Sequence, residues 1–461
     1  MLTKDQSGDI FEKIKKYSTA DEVEATLHGG KFALTRFANN TIHQNVAEES
    51  YSISVRAAFD GRTARATTNK FDDESLQRVV RASESLARVQ HPDPDLLPMP
   101  GAGESPAATH ARPSRHFAET AALTPQLRSR GVEKIVRVAT QHKLITAGIF
   151  SCSESVEGIF NSRGLSDWHT QTSSEISITM LAGDSSGWQK SNSPDVSQLD
   201  PGALAEISAR KAIASASPRE IPAGKYTVIL EPAAVLDMTG FMFWDFGGLS
   251  ILDQRSFLNN RVGTPIFGSN INIWDDVAHP LQSGAPFDGE GIPRRRVQLV
   301  EDGVVKRLVY ARATAKKMAQ SEYKDKVGPV APTGHGFSLP NEMGEAPMNI
   351  VFGTPADPIT VEQMIASTER GVLVTRLWYI REVDPYEKIL TGMTRDGTFY
   401  VEGGKVRHGI LNFRFNESLI HMLSNVEAMG TPVRASGEES FDMVAPPMKV
   451  KDFNFTEVTK F

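Results

Sequence analysis

The side chains that could do chemistry are thinly spread along the chain. There are eleven histidines in 461 residues, and no two of them lie four or five positions apart. Two histidines hold a metal from one helix only at about that spacing, because both rings must reach one point. That device is absent, and a zinc site gathered from distant histidines and carboxylates stays open. Residues 183–187, Gly-Asp-Ser-Ser-Gly, match the pattern of a nucleophile elbow. Such an elbow needs a helix after the serine. Residues 188–194 read as a turn instead, so a polar hairpin tip is expected. The glycine patterns that cradle phosphates, G-x-x-x-x-G-K-[ST] and G-x-G-x-x-G, do not occur. Two polar glycine-rich stretches are left, 286-PFDGEGIPRRR-296 and 330-VAPTGHGFSLP-340. Glycine there lets backbone amides approach a ligand. Phe287, Asp288, Glu290, Gly291, Thr333, Gly334 and His335 are the candidate substrate-binding residues, with ordinary loops as the alternative. His335, between two glycines, is not expected to be a packed core histidine.

Residues 226–248, YTVILEPAAVLDMTGFMFWDFGG, raise a different question. A short apolar strand runs into Glu231-Pro232 and a long apolar helix. The first turns of such a helix often carry metal ligands or phosphate-binding amides. Yet Gly240-Phe241-Met242-Phe243-Trp244-Asp245 holds almost nothing that could react.

The elements that must position these groups read as α+β. Ile10, Phe11, Ile14 and Tyr17 fall at helical spacing. Short strands are expected at 22–28, 32–37, 42–46, 51–59 and 62–67. Gly29-Gly30, Asn39-Asn40 and Asp60-Gly61 punctuate them, the last pair being a strong type I′ hairpin signal. Residues 71–89 form an amphipathic helix capped by Asp72 or Asp73, with Leu76, Val79, Val80, Leu86 and Val89 in one stripe. Residues 91–114 carry six prolines and read as an extended connector. A helix at 124–142, strands at 144–151, 156–161 and 171–181, and a helix at 201–215 behind Asp200 complete an N-terminal α/β domain with a mixed sheet, 1–221. From 222 to 461 many short strands separated by hairpin turns read as a mostly β domain. No repeat of 20–50 residues is present.

Bulk properties narrow the function. The net charge of −6 gives no basic face for nucleic acid. The run Arg294–Arg296 reads as the solvated face of an exposed hairpin. Cys152 is the sole cysteine, so neither an internal disulfide nor a Cys-based zinc site can form, and a cytoplasmic location is expected. Cys152 itself reads as a small buried apolar side chain. The charged N-terminus has no signal-peptide or anchor core, and no run approaches a membrane span.

In their order and spacing, several segments resemble the TldD/PmbA family, once called modulators of DNA gyrase. They are 35-TRFANNTIHQ-44, the strand before Glu231-Pro232, 255-RSFL-258, 286-PFDGEG-291, 301-EDG-303, 333-TGH-335, 371-GVLVT-375 and 397-GTFYVEGGK-405. The resemblance implies an N-terminal α/β and a largely β C-terminal domain assembled as dimers. It also implies a zinc peptidase activity on flexible peptides. The catalytic-type members carry a His-Glu-x-x-x-His motif on the helix after the strand and a cysteine ligand near the C-terminus. Counted without gaps, Gly240 stands at the first histidine, Phe241 at the glutamate and Asp245 at the second histidine; no cysteine follows residue 410. The chain is therefore similar to the PmbA/TldE side, whose members lack the motif. It departs from that pattern at 379-YIREVDPYEKILTGMT-394, where a glycine-rich run is expected. The implied function is a non-catalytic subunit with no metal of its own, zinc being held by a TldD-like partner. Phe241, Phe243 and Trp244 are expected to pack a core or an interface. A homodimeric peptide-binding scaffold and a hydrolase using His335, Glu290 or Asp288 are the alternatives.

Overall fold

The computed structural model describes residues 1–104 and 113–459. Part of the proline-rich connector, Pro106 included, lies outside the described residues. Helix α1 (Lys4–Tyr17) opens on a capping box at Thr3. It packs with α2 (Asp73–Val89), capped by Asp72. These two helices lie against a six-stranded sheet of order β3-β2-β1-β4-β5-β6. Its strands are β1 (Glu22–Ala38), β2 (Thr41–Phe59), β3 (Arg62–Thr68), β4 (Ile145–Asn161), β5 (Ser166–Leu181) and β6 (Ser186–Ser193). Short α3 (Ala118–Ala121), α4 (Pro125–Gln141) and α5 (Pro201–Ala214) complete this half. The side chains of α4 and α5 close a second small core with β1, β4 and β5.

The strands are fewer and longer than the sequence suggests. Gly29 and Gly30 do not turn the chain; they lie inside β1, paired with Tyr51 and Ser50 on one side and Val156 and Ser155 on the other. A Cβ on Gly29 would stand 2.3 Å from the Ser50 carbonyl oxygen, and one on Gly30 would stand 2.0 Å from that of Glu154. The glycines therefore permit a tight crossing of three strands. Asn39-Asn40 and Asp60-Gly61 do form the hairpins, each with positive φ at both positions. Strands expected at 144–151 and 156–161 are likewise one strand. Residues 188–194 were expected as a turn, but β6 runs through them, without one β-branched residue. The expected mixed sheet of this half is antiparallel in every pairing: hairpins join β1 to β2, β2 to β3, β4 to β5 and β5 to β6, and β1 pairs β4 across the connector. On α2, Leu86 and Val89 point to solvent; Ser83, Glu84 and Ala87 complete the buried face instead.

The C-terminal half begins with β7 (Gly224–Leu230), α6 (Pro232–Thr239), a 3-10 turn (Gly240–Phe246) and α7 (Gly248–Leu252). Then follow β8 (Ile273–Asp275), β9 (Val297–Glu301), β10 (Val304–Val305), α8 (Arg312–Gln320), β11 (Ile350–Phe352) and α9 (Val361–Ala366). The chain continues through β12 (Arg370–Asp384), β13 (Ile389–Glu402), β14 (Lys405–Gly409), β15 (Phe413–Ser418) and α10 (Leu419–Ser424). It ends with β16 (Val426–Met429), β17 (Val433–Ala435), β18 (Met443–Ala445) and β19 (Met448–Val458). The order β12-β7-β19-β15-β13, with β13 pairing back to β12, closes a ring. The parallel pairs, β7 with β12 and β11 with β18, are here. The main core runs through this ring and α6: Val228, Leu230, Val374, Phe413, Phe415 and Phe455 are almost wholly buried. Among the described residues no helix is long and apolar enough to cross a membrane.

Candidate functional site

The strand and helix at 226–248 form a frame at the top of this ring. Pro232 starts α6 at a position where its missing N–H costs nothing. Helix α6 is buried almost all round, and it tightens into the 3-10 turn at Gly240 rather than running on. Gly240 is required there: a Cβ would stand 1.8 Å from Ser440 Oγ and 2.4 Å from Ser440 Cβ. Met242, Phe243 and Phe246 are wholly buried and Phe241 packs partly against the same core. Trp244 was expected to pack a core or an interface. It is 45% exposed, its ring stacked on Phe337 at 5.9 Å between centroids.

Asp245 is the one ionisable group of the turn. Its Oδ2 lies 2.6 Å from Lys388 Nζ, and its Oδ1 accepts the Phe257 N–H at 3.2 Å. Burial pushes its carboxyl up, opposed by the Lys388 charge. A cleft of about 480 Å³ opens over these groups, lined by Gly240, Phe241, Trp244, Asp245, Lys388 and Phe441. The donors at this place do not fit a zinc ion: Gly240 and Phe241 offer none, and Asp245 is already held by an ammonium. Among the described residues no three His, Cys, Asp or Glu side chains form a metal-ligand group.

The rim of the cleft is a loop, 436–441, that sequence reasoning did not single out. Asp237 of α6 accepts the N–H groups of Glu438 and Glu439 through Oδ1, at 3.1 and 3.0 Å. Its Oδ2 has no hydrogen-bond partner, and burial pushes the carboxyl up to about 7. Glu439 in turn accepts the N–H groups of Tyr379 and Ile380, at 2.7 and 3.2 Å, fixing a bulge in β12 where Tyr379 has φ +57°. From the other half, Lys190 of β6 donates to the Gly437 carbonyl at 3.0 Å. The signal for this clamp was Gly437, where a Cβ would stand 2.2 Å from Asp237 Oδ1.

The two glycine-rich stretches do meet, but they face inward. Gly289 N–H donates to the Gly336 carbonyl at 2.8 Å, and Gly336 N–H donates to Asp288 Oδ2 at 2.8 Å. Asp288 Oδ1 also accepts from Glu290 and Ile292, both at 2.9 Å. Glu290 accepts the Arg312 N–H at the start of α8, at 3.1 Å. Burial, then repulsion from Asp288, lifts the Glu290 carboxyl to about 7. Phe287 packs with Ile159 and Leu165 of the N-terminal half. Gly291 and Gly334 take positive φ where a Cβ would meet Leu165 and the Pro293 carbonyl. Thr333, half-buried, donates to and accepts from the Tyr310 backbone.

His335 is a correction. Its ring is wholly buried, with Nδ1 2.9 Å from Thr333 Oγ1 and Nε2 3.0 Å from Asp275 Oδ1. The second contact is close but out of line for a hydrogen bond. Burial raises the Asp275 carboxyl, and His335 and Arg294 more than offset it, leaving it below the usual range. Arg294 was expected in an exposed hairpin and instead turns in to Asn349 Oδ1 at 2.9 Å. Phe287 and Asp288 border a small cavity of about 230 Å³ between β1, β4 and these loops. Ser185, of the elbow-like pattern, sits in a hairpin tip and donates to the Ala212 carbonyl at 2.8 Å. Cys152 is only half-buried, 3.6 Å from an Arg128 nitrogen, rather than enclosed by apolar neighbours.

Comparison with known proteins places this architecture. Residues 223–457 match the family model described as PmbA/TldA metallopeptidase C-terminal domain, and residues 23–87 match PmbA/TldA metallopeptidase domain 1. The chain is 19% identical over 413 residues to Metalloprotease PmbA of Escherichia coli O157:H7, spanning 87% of this chain and 85% of that protein. The crystal structure of TldE from Thermococcus kodakarensis superposes with a TM-score of 0.84 at 18% identity, covering 98% of this chain and 100% of that one. A Thermotoga maritima protein proposed as a modulator of a DNA gyrase superposes with a TM-score of 0.83 at 19% identity, covering 98% and 99%.

Proposed function

The chain belongs to the PmbA/TldD metallopeptidase family, and from that premise we propose that it is a non-catalytic subunit of a zinc peptidase complex acting on flexible peptides. The observation that carries the reading is the content of the frame. Gly240 is packed against Ser440 where a histidine side chain has no room, and Asp245 is held by Lys388. Neither position can present a ligand, so no water is activated by the metal route in this chain. Its part is then to shape a chamber, with zinc and general base supplied by a TldD-like partner.

Strand addition suits that part, since it grips any backbone whatever its side chains. Residues 41–52 of β2 pair with β1 on one side, while β3 covers only Ile53–Phe59 on the other. This exposed edge is available to an extended peptide or to a partner's strand. The hydrolase alternative draws no support, because His335, Glu290 and Asp288 are all at most 5% exposed and committed to backbone or side-chain partners. Elemental analysis of the purified chain, prepared without chelators, tests the reading. Less than a tenth of a zinc per chain is expected. One zinc per chain that survives gel filtration would overturn it.

A further inference from the structure

Lys388 stands where the frame would otherwise need a cation. Its Nζ lies 2.6 Å from Asp245 Oδ2 and 2.6 Å from Glu382 Oε1, over the Phe257 ring at 5.6 Å, and its side chain is 4% exposed. Three separate pieces of chain converge on this point: the 3-10 turn after α6, strand β12, and the hairpin before β13. The hairpin is shaped to deliver the ammonium. Lys388 has φ +48°, a left-handed conformation that non-glycine residues rarely adopt. The turn is held on both sides: Asp384 Oδ1 accepts the N–H groups of Tyr386 and Glu387 at 2.9 Å each, and the Lys388 carbonyl accepts from Leu419 at 2.9 Å. The other charges bordering the cleft are satisfied elsewhere, Arg255 by Asp253 and Glu439 by backbone amides.

We propose that Lys388 is a resident counter-cation that takes the electrostatic place of a metal in this frame and closes it to a divalent ion. A buried carboxylate demands a positive partner. Carboxylate oxygens converging on one point also suit a hard divalent cation such as manganese. Ammonium and metal would therefore compete for the same oxygens. The inference rests on the frame being metal-free in this chain. Its failure would leave the subunit role standing, since the tests read stability rather than cleavage.

The experiment is thermal unfolding of the full chain with and without millimolar manganese, for wild type, Lys388→Ala, Lys388→Ala/Asp245→Asn and Lys388→Met/Asp245→Asn. Lys388→Ala is expected to lower the midpoint by several degrees and manganese to restore at least half of that loss. Wild type and Lys388→Ala/Asp245→Asn are expected not to respond to the ion. Lys388→Met/Asp245→Asn, with both charges removed and volume kept, is expected to lie closer to wild type than Lys388→Ala does. The proposal is overturned if Lys388→Ala keeps the wild-type midpoint, if manganese does not raise it, if wild type responds equally, or if the neutral pair is the less stable. A Lys388→Ala chain that folds only with manganese supports the proposal; one that folds in neither condition overturns it.

Discussion

Gly240 and Asp237 lie three residues apart, and each gives a test at the scale of one side chain. Gly240→Ala must push Ser440, which the rim loop holds, so a loss of about 1–3 kcal/mol is expected from the overpacking. Ser440→Gly in the same chain should recover part of it in chemical denaturation; equal losses in single and double variants would place the strain elsewhere. Asp237 and Glu290 both have carboxyls lifted to about 7 by burial. Each binds its proton more tightly folded than unfolded. Their contribution to stability is therefore full below about pH 4 and is lost as the pH rises towards about 7. Asp237→Asn and Glu290→Gln keep an acceptor for the backbone amides and lose the titration. Relative to wild type, both variants should gain stability, by up to a few kcal/mol, between pH 5 and pH 8. Urea midpoints at the two pH values that shift in parallel for wild type and variants would refute this.

At the scale of elements, helices were legible because caps and apolar periodicity are local. Asp200 and Asp72 cap helices where the sequence places them. Strand boundaries were less legible, because glycine has two meanings. Asp60-Gly61 turns the chain, while Gly29-Gly30 lets three strands cross, and only the partner strands distinguish the two. Gly30→Ala is accordingly expected to cost more than Gly8→Ala, where a Cβ meets nothing within 4 Å. Hydrogen exchange should show the loss at the β1–β4 pairing; equal, small effects of the two changes would contradict the crossing. Strand β6 was illegible for a related reason. Lys190 and Asn192 carry it through contacts with Gly437 and Asp442, far along the chain. The candidate site was legible only in outline. The emptiness of the 240–245 turn could be read from residue types, whereas Lys388, Asp237 and Glu439 come together only in the fold. His335 misled because flanking glycines suggest an open loop, and here they admit close backbone packing around a buried ring.

At the scale of the whole molecule, the halves are joined largely by polar contacts. Arg115 is 8% exposed and donates to the carbonyls of Val277, His279 and Pro280. Arg65 donates to the Leu339 carbonyl at 2.7 Å, and Lys211 pairs with Glu231 at 2.6 Å at the entrance to α6. Arg115→Ala strands three carbonyls and should cost about 2–3 kcal/mol. Faster exchange at 277–282 is expected with it, and unchanged exchange there would show that the seam does not depend on this residue. The same seam reaches the cleft rim through Lys190, so the cleft's shape depends on both halves. A catalytic partner would meet this assembled surface, not a separate module. The most direct test is reconstitution. A flexible peptide is incubated with this chain alone, with a family member carrying His-Glu-x-x-x-His (here the paralogue) alone, and with both, in the presence of zinc. No cleavage by this chain alone, and at least tenfold faster cleavage by the pair than by the paralogue alone, are expected. Cleavage by this chain alone, or equal rates for paralogue and pair, would contradict its role as a non-catalytic subunit.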